Sequence, residues 1–188
     1  MANNTDGSTM YSLRVFCVSA LKNERTKIMN DEAERRRLNE LSGKVIGLCI
    51  EVHRETGPGL LESAYEECLA FELSQAGISF ERQKEMPLAY KGILLNCGYR
   101  LDFLVEKSLI IELKAVAKLE PIYEAQLLTY LKLSKNHLGL LINFNVPVLK
   151  NGIKRMTAGD LFLEESRSGS DGWRLLKLML ASIPGLLR

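Results

Sequence analysis

The sequence is poor in the features that build zinc sites, disulfide frameworks and membrane spans. It has two histidines and four cysteines, none of them in a CxxC pair: Cys17, Cys49, Cys68 and Cys97. A zinc site therefore lacks its usual ligands, and the cysteines are predicted to be small core residues in a reducing compartment, which indicates a cytoplasmic protein. No apolar run approaches the roughly 20 residues that cross a bilayer, so no membrane partner is expected.

The chain also lacks a strong charge of either sign. Its formal net charge is +2, so a nucleic-acid partner is neither demanded nor excluded, and any basic surface must be local. The 188 residues are 46% hydrophobic and 26% charged, which is typical of one globular domain with a sizeable core.

Residues 99–114 have the pattern of two β-strands joined by a short polar turn. Residues 100–105 and 109–115 are rich in apolar and β-branched side chains, and residues 106–108 between them form a polar loop of hairpin length. Because side chains alternate along a strand, one face is predicted to be wholly apolar. That face consists of Tyr99, Leu101, Phe103, Val105, Leu109, Ile111 and Leu113. The opposite face carries two acids and two bases, Arg100, Asp102, Glu112 and Lys114.

Whether the hairpin loop has an odd or an even number of residues decides whether the two acids lie on the same face. A loop of odd length places Val105 opposite Leu109. Asp102 then lies opposite Glu112, with the two carboxylates on one face and roughly 5 Å apart at Cβ. Opposed like charges destabilise a sheet, and a divalent metal such as Mg²⁺ compensates for them because it prefers oxygen ligands. The alternative is the solvated polar face of an antiparallel sheet, and the hairpin alone does not decide between the two.

A resemblance favours the metal site. Asp102, followed by Glu112, Leu113 and Lys114, is similar to the D…ExK signature of the PD-(D/E)XK nuclease superfamily. Leu101 stands where the name of the superfamily has proline, but that proline does no chemistry.

Two further motifs support the same resemblance. Downstream, Gln126 and Tyr130 resemble the QxxxY motif of the RecB-like branch of the superfamily. Upstream, Gly59, Glu62 and Tyr65 match the GxxExxY pattern that names a family of small proteins within it. The three motifs stand in the expected order, and the resemblance covers roughly residues 30–156.

The resemblance implies an α/β (α+β) fold, a mixed β-sheet flanked by helices with the core order αβββαβ. It implies a metal-dependent nuclease that hydrolyses phosphodiester bonds of nucleic acid, with DNA favoured over RNA and Mg²⁺ or Mn²⁺ as cofactor. The implied metal ligands are Asp102, Glu112 and the carbonyl of Leu113. Glu62 would be a third carboxylate, bound directly or through water, although an acid in the first turn of a helix also simply complements the helix dipole.

The same resemblance assigns roles to three other side chains. Lys114 would orient or deprotonate the attacking water and shield the charge that builds on the phosphate. Gln126 and Tyr130, four apart and so on one helix face, would hold substrate phosphate or that water. The alternative places Tyr130 in a core stripe with Leu127 and Leu131, while Gln126 satisfies a backbone group. Five cations are candidates for phosphate contact, although each alone is typical of a solvated surface charge: Lys84, Lys91, Arg100, Lys118 and Lys132.

The chain divides into three predicted parts. Residues 1–28 are expected to be a poorly ordered N-terminal extension, residues 29–156 the nuclease-like domain, and residues 157–188 a linker with an apolar helical tail. The predicted helices cover about residues 31–54, 60–76 and 122–134. The predicted strands are residues 80–90, broken at Pro87 and near an edge, a separate short strand at 93–97, the central hairpin, a buried strand at 138–144 and a last one within 148–156.

Two other interpretations stay open. The first is a nuclease-like domain that binds nucleic acid or a protein and does not cleave, although the presence of Asp102, Glu112 and Lys114 together argues against it. The second is a core that is active only in a homodimer or a larger complex, because the chain leaves no room for a separate recognition domain.

Overall fold

The computed structural model describes residues 6–159, with side chains from residue 23 onwards except that of Cys97. These residues divide into two compact units between residues 39 and 40. The predicted apolar tail lies outside the described residues from residue 160, and the three predicted parts of the chain stay predictions. Within the described residues, no helix has both the length and the apolar character that a membrane span needs.

The first helix, α1, runs over Asp6–Thr56 and begins well before residue 31, where the apolar periodicity begins. Its C-terminal half buries a stripe at steps of three and four residues, Leu41, Val45, Cys49 and Val52. The periodicity detected this buried stripe, but it could not detect residues 23–30, because every one of them is exposed and they carry no apolar stripe.

The second helix, α2, covers Glu62–Gln75 and ends as the sequence predicts. Gly77 has a φ of 67°, and the N–H of Ile78 donates to the carbonyl of Leu73 at 3.0 Å while the N–H of Gly77 donates to Ser74. A left-handed glycine with these paired bonds is the usual helix stop.

The described strands form one five-stranded sheet in the order β1-β2-β3-β4-β5. The strands are β1 Phe80–Tyr90, β2 Ile93–Val105, β3 Leu109–Lys114, β4 Leu138–Asn143 and β5 Ile153–Thr157. The β3–β4 pair is parallel and the other three pairs are antiparallel. Helix α3, Pro121–Ser134, makes the crossover between β3 and β4. The sheet is therefore mixed, and the order from α2 to β4 is αβββαβ, so the predicted fold is confirmed.

Of the two predictions for the first strands, one is wrong and the other is confirmed. The separate strand at 93–97 is wrong, because β2 continues through Gly98, whose φ of 71° lets the chain bend without ending the strand. The break at Pro87 is confirmed, since the β1–β2 register shifts between Met86 and Leu88. The last predicted strand, within 148–156, is a 3₁₀ turn over Leu149–Gly152 followed by β5.

The register of the central hairpin is the one that an odd loop predicts. Val105 lies opposite Leu109, and the ladder continues to Phe103 opposite Ile111, where it ends. Beyond this pair β2 and β3 diverge, so Asp102 stands at the point where they separate.

Side-chain alternation breaks at this point, which corrects the predicted faces. Leu101 and Leu104 pack in one core cluster with Tyr130 of α3, although strict alternation would put them on opposite faces. In the neighbouring strand β1, Glu81 and Lys84 are also three residues apart and share a face, because they form an ion pair at 2.9 Å. The residue between them, Gln83, has a φ of 49°. The apolar face is therefore not continuous along β2.

Candidate active site

Asp102 occupies the gap that opens between β2 and β3. Its Oδ2 accepts the backbone N–H of Leu113 at 2.8 Å. The carboxylate thus takes a strand amide that would otherwise need a main-chain partner. Burial is the largest influence on the pKa of Asp102 and raises it above its ordinary value, although the bond from Leu113 opposes the shift.

Glu112 and Lys114 lie on the central strand β3, and every residue of β3 is buried. Two residues apart on a strand, they point to the same face. The Lys114 ammonium donates to Glu112 Oε1 at 2.7 Å and to the Leu113 carbonyl at 2.8 Å. Glu112 is 2% exposed and Lys114 is 9% exposed, so this ion pair is largely shielded from water.

Two groups from helices approach the same ammonium. Glu62, the first residue of α2, places Oε1 at 3.9 Å from Lys114 Nζ. The N-terminus of α2 has no side-chain cap, so Glu62 reaches across to β3 instead of capping its own helix. On the other side, Lys114 Nζ lies 5.6 Å from the ring centroid of Tyr123 in α3.

The acids outnumber the cations in this cluster. Burial first, and then the charge of Asp102, raise the pKa of Glu112 to about 7. Burial also raises the pKa of Glu62. Burial by itself would lower the pKa of Lys114, but the neighbouring carboxylates, Glu112 foremost, outweigh burial and raise it. Lys114 is therefore a cation at neutral pH, and the carboxylates around it favour further positive charge.

The donor atoms fit a hard divalent cation. Glu112 Oε2 is buried and has no hydrogen-bond partner within the described part of the chain, which is a cost that a bound cation would remove. Asp102, Glu112 and the Leu113 carbonyl supply oxygens, the ligands that Mg²⁺ and Mn²⁺ prefer. Among the described residues, no group of three or more His, Cys, Asp or Glu side chains could hold a metal ion. Asp102, Glu112, the Leu113 carbonyl and Glu62 as metal ligands all stay predictions.

Gln126 and Tyr130 contact each other on one face of α3. Gln126 Nε2 donates to the Tyr130 hydroxyl at 2.7 Å. Tyr130 is buried among the core residues Leu127 and Leu131, as the alternative interpretation expected. Burial raises the pKa of its hydroxyl most, and the charges of Glu112 and Asp102 add to the shift.

Two polar residues near Asp102 were missed by the sequence analysis. Glu66 lies one turn after Glu62 on α2 and accepts bonds from Arg82 Nε at 3.1 Å and Gln83 Nε2 at 2.9 Å. The spacing of the two acids was the available signal for Glu66. For Gln83 the sequence carries no such signal, because its position depends on a backbone angle.

Two of the five cations predicted to contact phosphate engage neighbouring side chains. Lys84 pairs with Glu81, and Lys91 Nζ lies 5.4 Å from the centroid of the Tyr90 ring. Phosphate contact by these five cations stays a prediction.

A mixed sheet of this topology, with two acids and a lysine where two strands diverge, defines an α+β domain of the nuclease type. Residues 39–156 match the model of the PD-(D/E)XK nuclease superfamily, a stretch that includes Asp102, Glu112 and Lys114. The chain belongs to this superfamily.

The crystal structure of SSO0001 is similar at 19% sequence identity, over 67% of this chain and 69% of the other, with a TM-score of 0.35. No curated protein gives a significant match.

Proposed function

We propose that the protein is a divalent-metal-dependent nuclease that hydrolyses phosphodiester bonds of DNA. The observation that carries the proposal is the buried Glu112 carboxylate, with one oxygen on the Lys114 ammonium and the other without a hydrogen-bond partner in the described part of the chain. A carboxylate buried in this way weakens the fold unless it serves a ligand. Membership of the superfamily agrees with this function.

Asp102, Glu112 and the carbonyl of Leu113 would hold Mg²⁺ or Mn²⁺. When bound, the ion supplies Lewis-acid chemistry, polarising the scissile phosphate and making water more acidic. The protein fixes two of these ligands before any cation arrives. The Leu113 N–H holds Asp102, and the central strand β3 fixes the backbone of Leu113 and Glu112. Such pre-organisation lowers the cost of binding.

Lys114 acts on the reacting groups through its side-chain nitrogen. The neighbouring carboxylates raise its pKa in the metal-free protein. In the proposed reaction Lys114 orients or deprotonates the attacking water and shields charge that develops on the phosphate. Its contact with Glu112 holds it within the carboxylate cluster.

Gln126 is the group on α3 that contacts substrate phosphate or the attacking water. Tyr130 is a positioning residue, because it is buried and its hydroxyl accepts the amide of Gln126. This division of roles makes Tyr130→Phe a milder change than Gln126→Ala.

Within the superfamily, the chain fits the GxxExxY family, and the structure offers a physical reason for that motif. Gly59 has a φ of 105°, which a residue with a side chain rarely adopts. The Tyr65 hydroxyl donates to the Gly57 carbonyl at 2.7 Å and accepts the N–H of Leu60 at 3.1 Å. The glycine and the tyrosine together fix the turn that delivers Glu62 to Lys114.

The test is a cleavage assay on single- and double-stranded DNA and RNA, with Mg²⁺, Mn²⁺ or EDTA. Wild type should cleave DNA with metal only. Lys114→Ala should lose about 100-fold or more, the usual worth of a proton-handling side chain. Lys150→Ala, which removes an exposed lysine of the 3₁₀ turn, is the matched control and should cleave as wild type does.

Two results would reject the proposal. One is a folded, metal-loaded wild type that cleaves none of these nucleic acids. The other is a Lys114→Ala variant as active as the Lys150→Ala control, because the ammonium would then have no part in the reaction.

A further inference from the structure

Gln83 adopts a backbone conformation that its residue type disfavours. It lies inside β1 with a φ of 49°, in the left-handed region that favours glycine. The flanking residues pair normally with β2, Arg82 with Phe103 and Lys84 with Leu101. In the described ladder, the Gln83–Asp102 position between these two pairs is not among the paired residues. Strained side-chain-bearing residues of this kind cluster at functional sites.

The conformation brings the Gln83 amide to two carboxylates. Gln83 Nε2 donates to Glu66 Oε2 at 2.9 Å and lies 3.4 Å from Asp102 Oδ1. The other oxygen of Asp102 accepts the N–H of Leu113. Each oxygen of the Asp102 carboxylate thus has a donor, one from β1 and one from β3.

Glu66 itself is held in place by an arginine. Arg82 Nε donates to Glu66 Oε1 at 3.1 Å, and its guanidinium also donates to Glu67. The Glu66 side chain is only 13% exposed. The Gln83 amide is therefore anchored on α2 through Glu66 while its other proton points to Asp102.

We infer that Gln83 is a positioning residue that orients the Asp102 carboxylate for cation binding, and that its strained backbone is kept for this purpose. The inference rests on the proposed function only in that Asp102 is a metal ligand. Groups that orient a metal ligand typically contribute 10- to 100-fold to metal affinity. The alternative is that Gln83 only satisfies two carboxylates and has no effect on binding.

Gln83→Gly separates the two explanations. Glycine adopts a positive φ without strain, so the backbone of β1 keeps its shape while the amide is lost. If Gln83 only maintained the fold, glycine would leave Mn²⁺ binding unchanged. If it orients Asp102, Mn²⁺ affinity falls at least about 10-fold while the melting temperature stays equal or rises.

The matched control is Lys107→Gly. Lys107 also has a positive φ, 56°, and lies in the β2–β3 turn, so the substitution makes the same backbone change outside the carboxylate cluster. Lys107→Gly should bind Mn²⁺ as wild type does. Gln83→Met, which keeps the length of the side chain and removes the amide, should repeat the loss and decides the matter if the glycine variant fails to fold.

The measurements are Mn²⁺ titration calorimetry and thermal melts on the full chain, followed by cleavage assays. Gln83→Gly and Gln83→Met with wild-type affinity would overturn the inference, as would a wild type that binds no Mn²⁺. A wild type that binds Mn²⁺ but cleaves nothing would reject the nuclease, whereas weakened binding in both variants would still support the role of Gln83.

Discussion

Replacing Glu112 by glutamine should stabilise the metal-free protein while removing its function. The substitution keeps the shape of the side chain and an oxygen that can accept the Lys114 hydrogen bond. It removes a negative charge that is buried beside Asp102. The pKa of Glu112 is raised even though the attraction of Lys114 opposes the shift, so the variant avoids a penalty that the wild type carries at neutral and alkaline pH.

The size of that penalty follows from the pKa of Glu112, which rises from 4.5 to about 7 on folding. A carboxyl group whose pKa is raised by folding costs no stability below its unfolded pKa. The free energy of unfolding then falls as pH rises from the unfolded pKa through the folded one. Each pKa unit corresponds to about 1.4 kcal/mol, so the penalty is about 3 kcal/mol at pH 8 and about 1 kcal/mol at pH 5. The variant gains these amounts, because glutamine does not titrate.

Urea denaturation in EDTA at pH 5 and pH 8 measures the gain. Glu112→Gln should be more stable than wild type at both, by about 3 kcal/mol at pH 8, or roughly 6–12 °C in melting temperature for a domain of this size. Glu40→Gln, an exposed acid on α1, is the control and should change neither value. A variant less stable than wild type at pH 8, or a gain that is the same at both pH values, would refute the reasoning.

Two further substitutions test the packing behind the site. Tyr65→Phe removes the hydroxyl that forms hydrogen bonds with Gly57 and Leu60. Because the ring is fully buried, the free energy of unfolding should fall by about 1–2 kcal/mol. An unchanged urea midpoint would contradict this. Gly152→Ala would place a Cβ at 2.2 Å from the Asn143 carbonyl oxygen, so the free energy of unfolding should fall by more than about 2 kcal/mol. A melting temperature equal to that of the wild type would contradict this and show that the turn relaxes freely.

Local chemistry made most of the fold predictable from the sequence. The odd loop at residues 106–108 set the hairpin register, Gly77 ended α2, and Pro121 began α3. The unbroken apolar run of β4 marked a strand buried on both faces. The predictions for the start of α1 and for the division of β2 failed. Residues 23–30 are exposed and carry no apolar period, and the sequence did not show that β2 continues through Gly98.

The sequence predicts the acids and the lysine of the candidate site but not the residues that contact them. Asp102, Glu112 and Lys114 stand at a spacing that strand alternation and the motif both use. Glu66 and Gln83 have no such pattern, because they meet Asp102 only through tertiary contacts between α2, β1 and β2.

Magnitudes explain why the irregular backbone at Asp102 persists. Leu101 and Leu104 are both buried in the cluster under α3, and burying a leucine contributes about 1.5–3 kcal/mol. Strict alternation would expel one of them from that cluster. A strained φ such as that of Gln83 costs about 1–3 kcal/mol, which the second leucine offsets. The β2–β3 ladder does not extend to Asp102, and the amide of Leu113 binds the Asp102 carboxylate instead of a strand carbonyl. The packing of the core thus helps to place Asp102 at the site and offsets the strain at Gln83, whose amide is the group proposed to orient the Asp102 carboxylate.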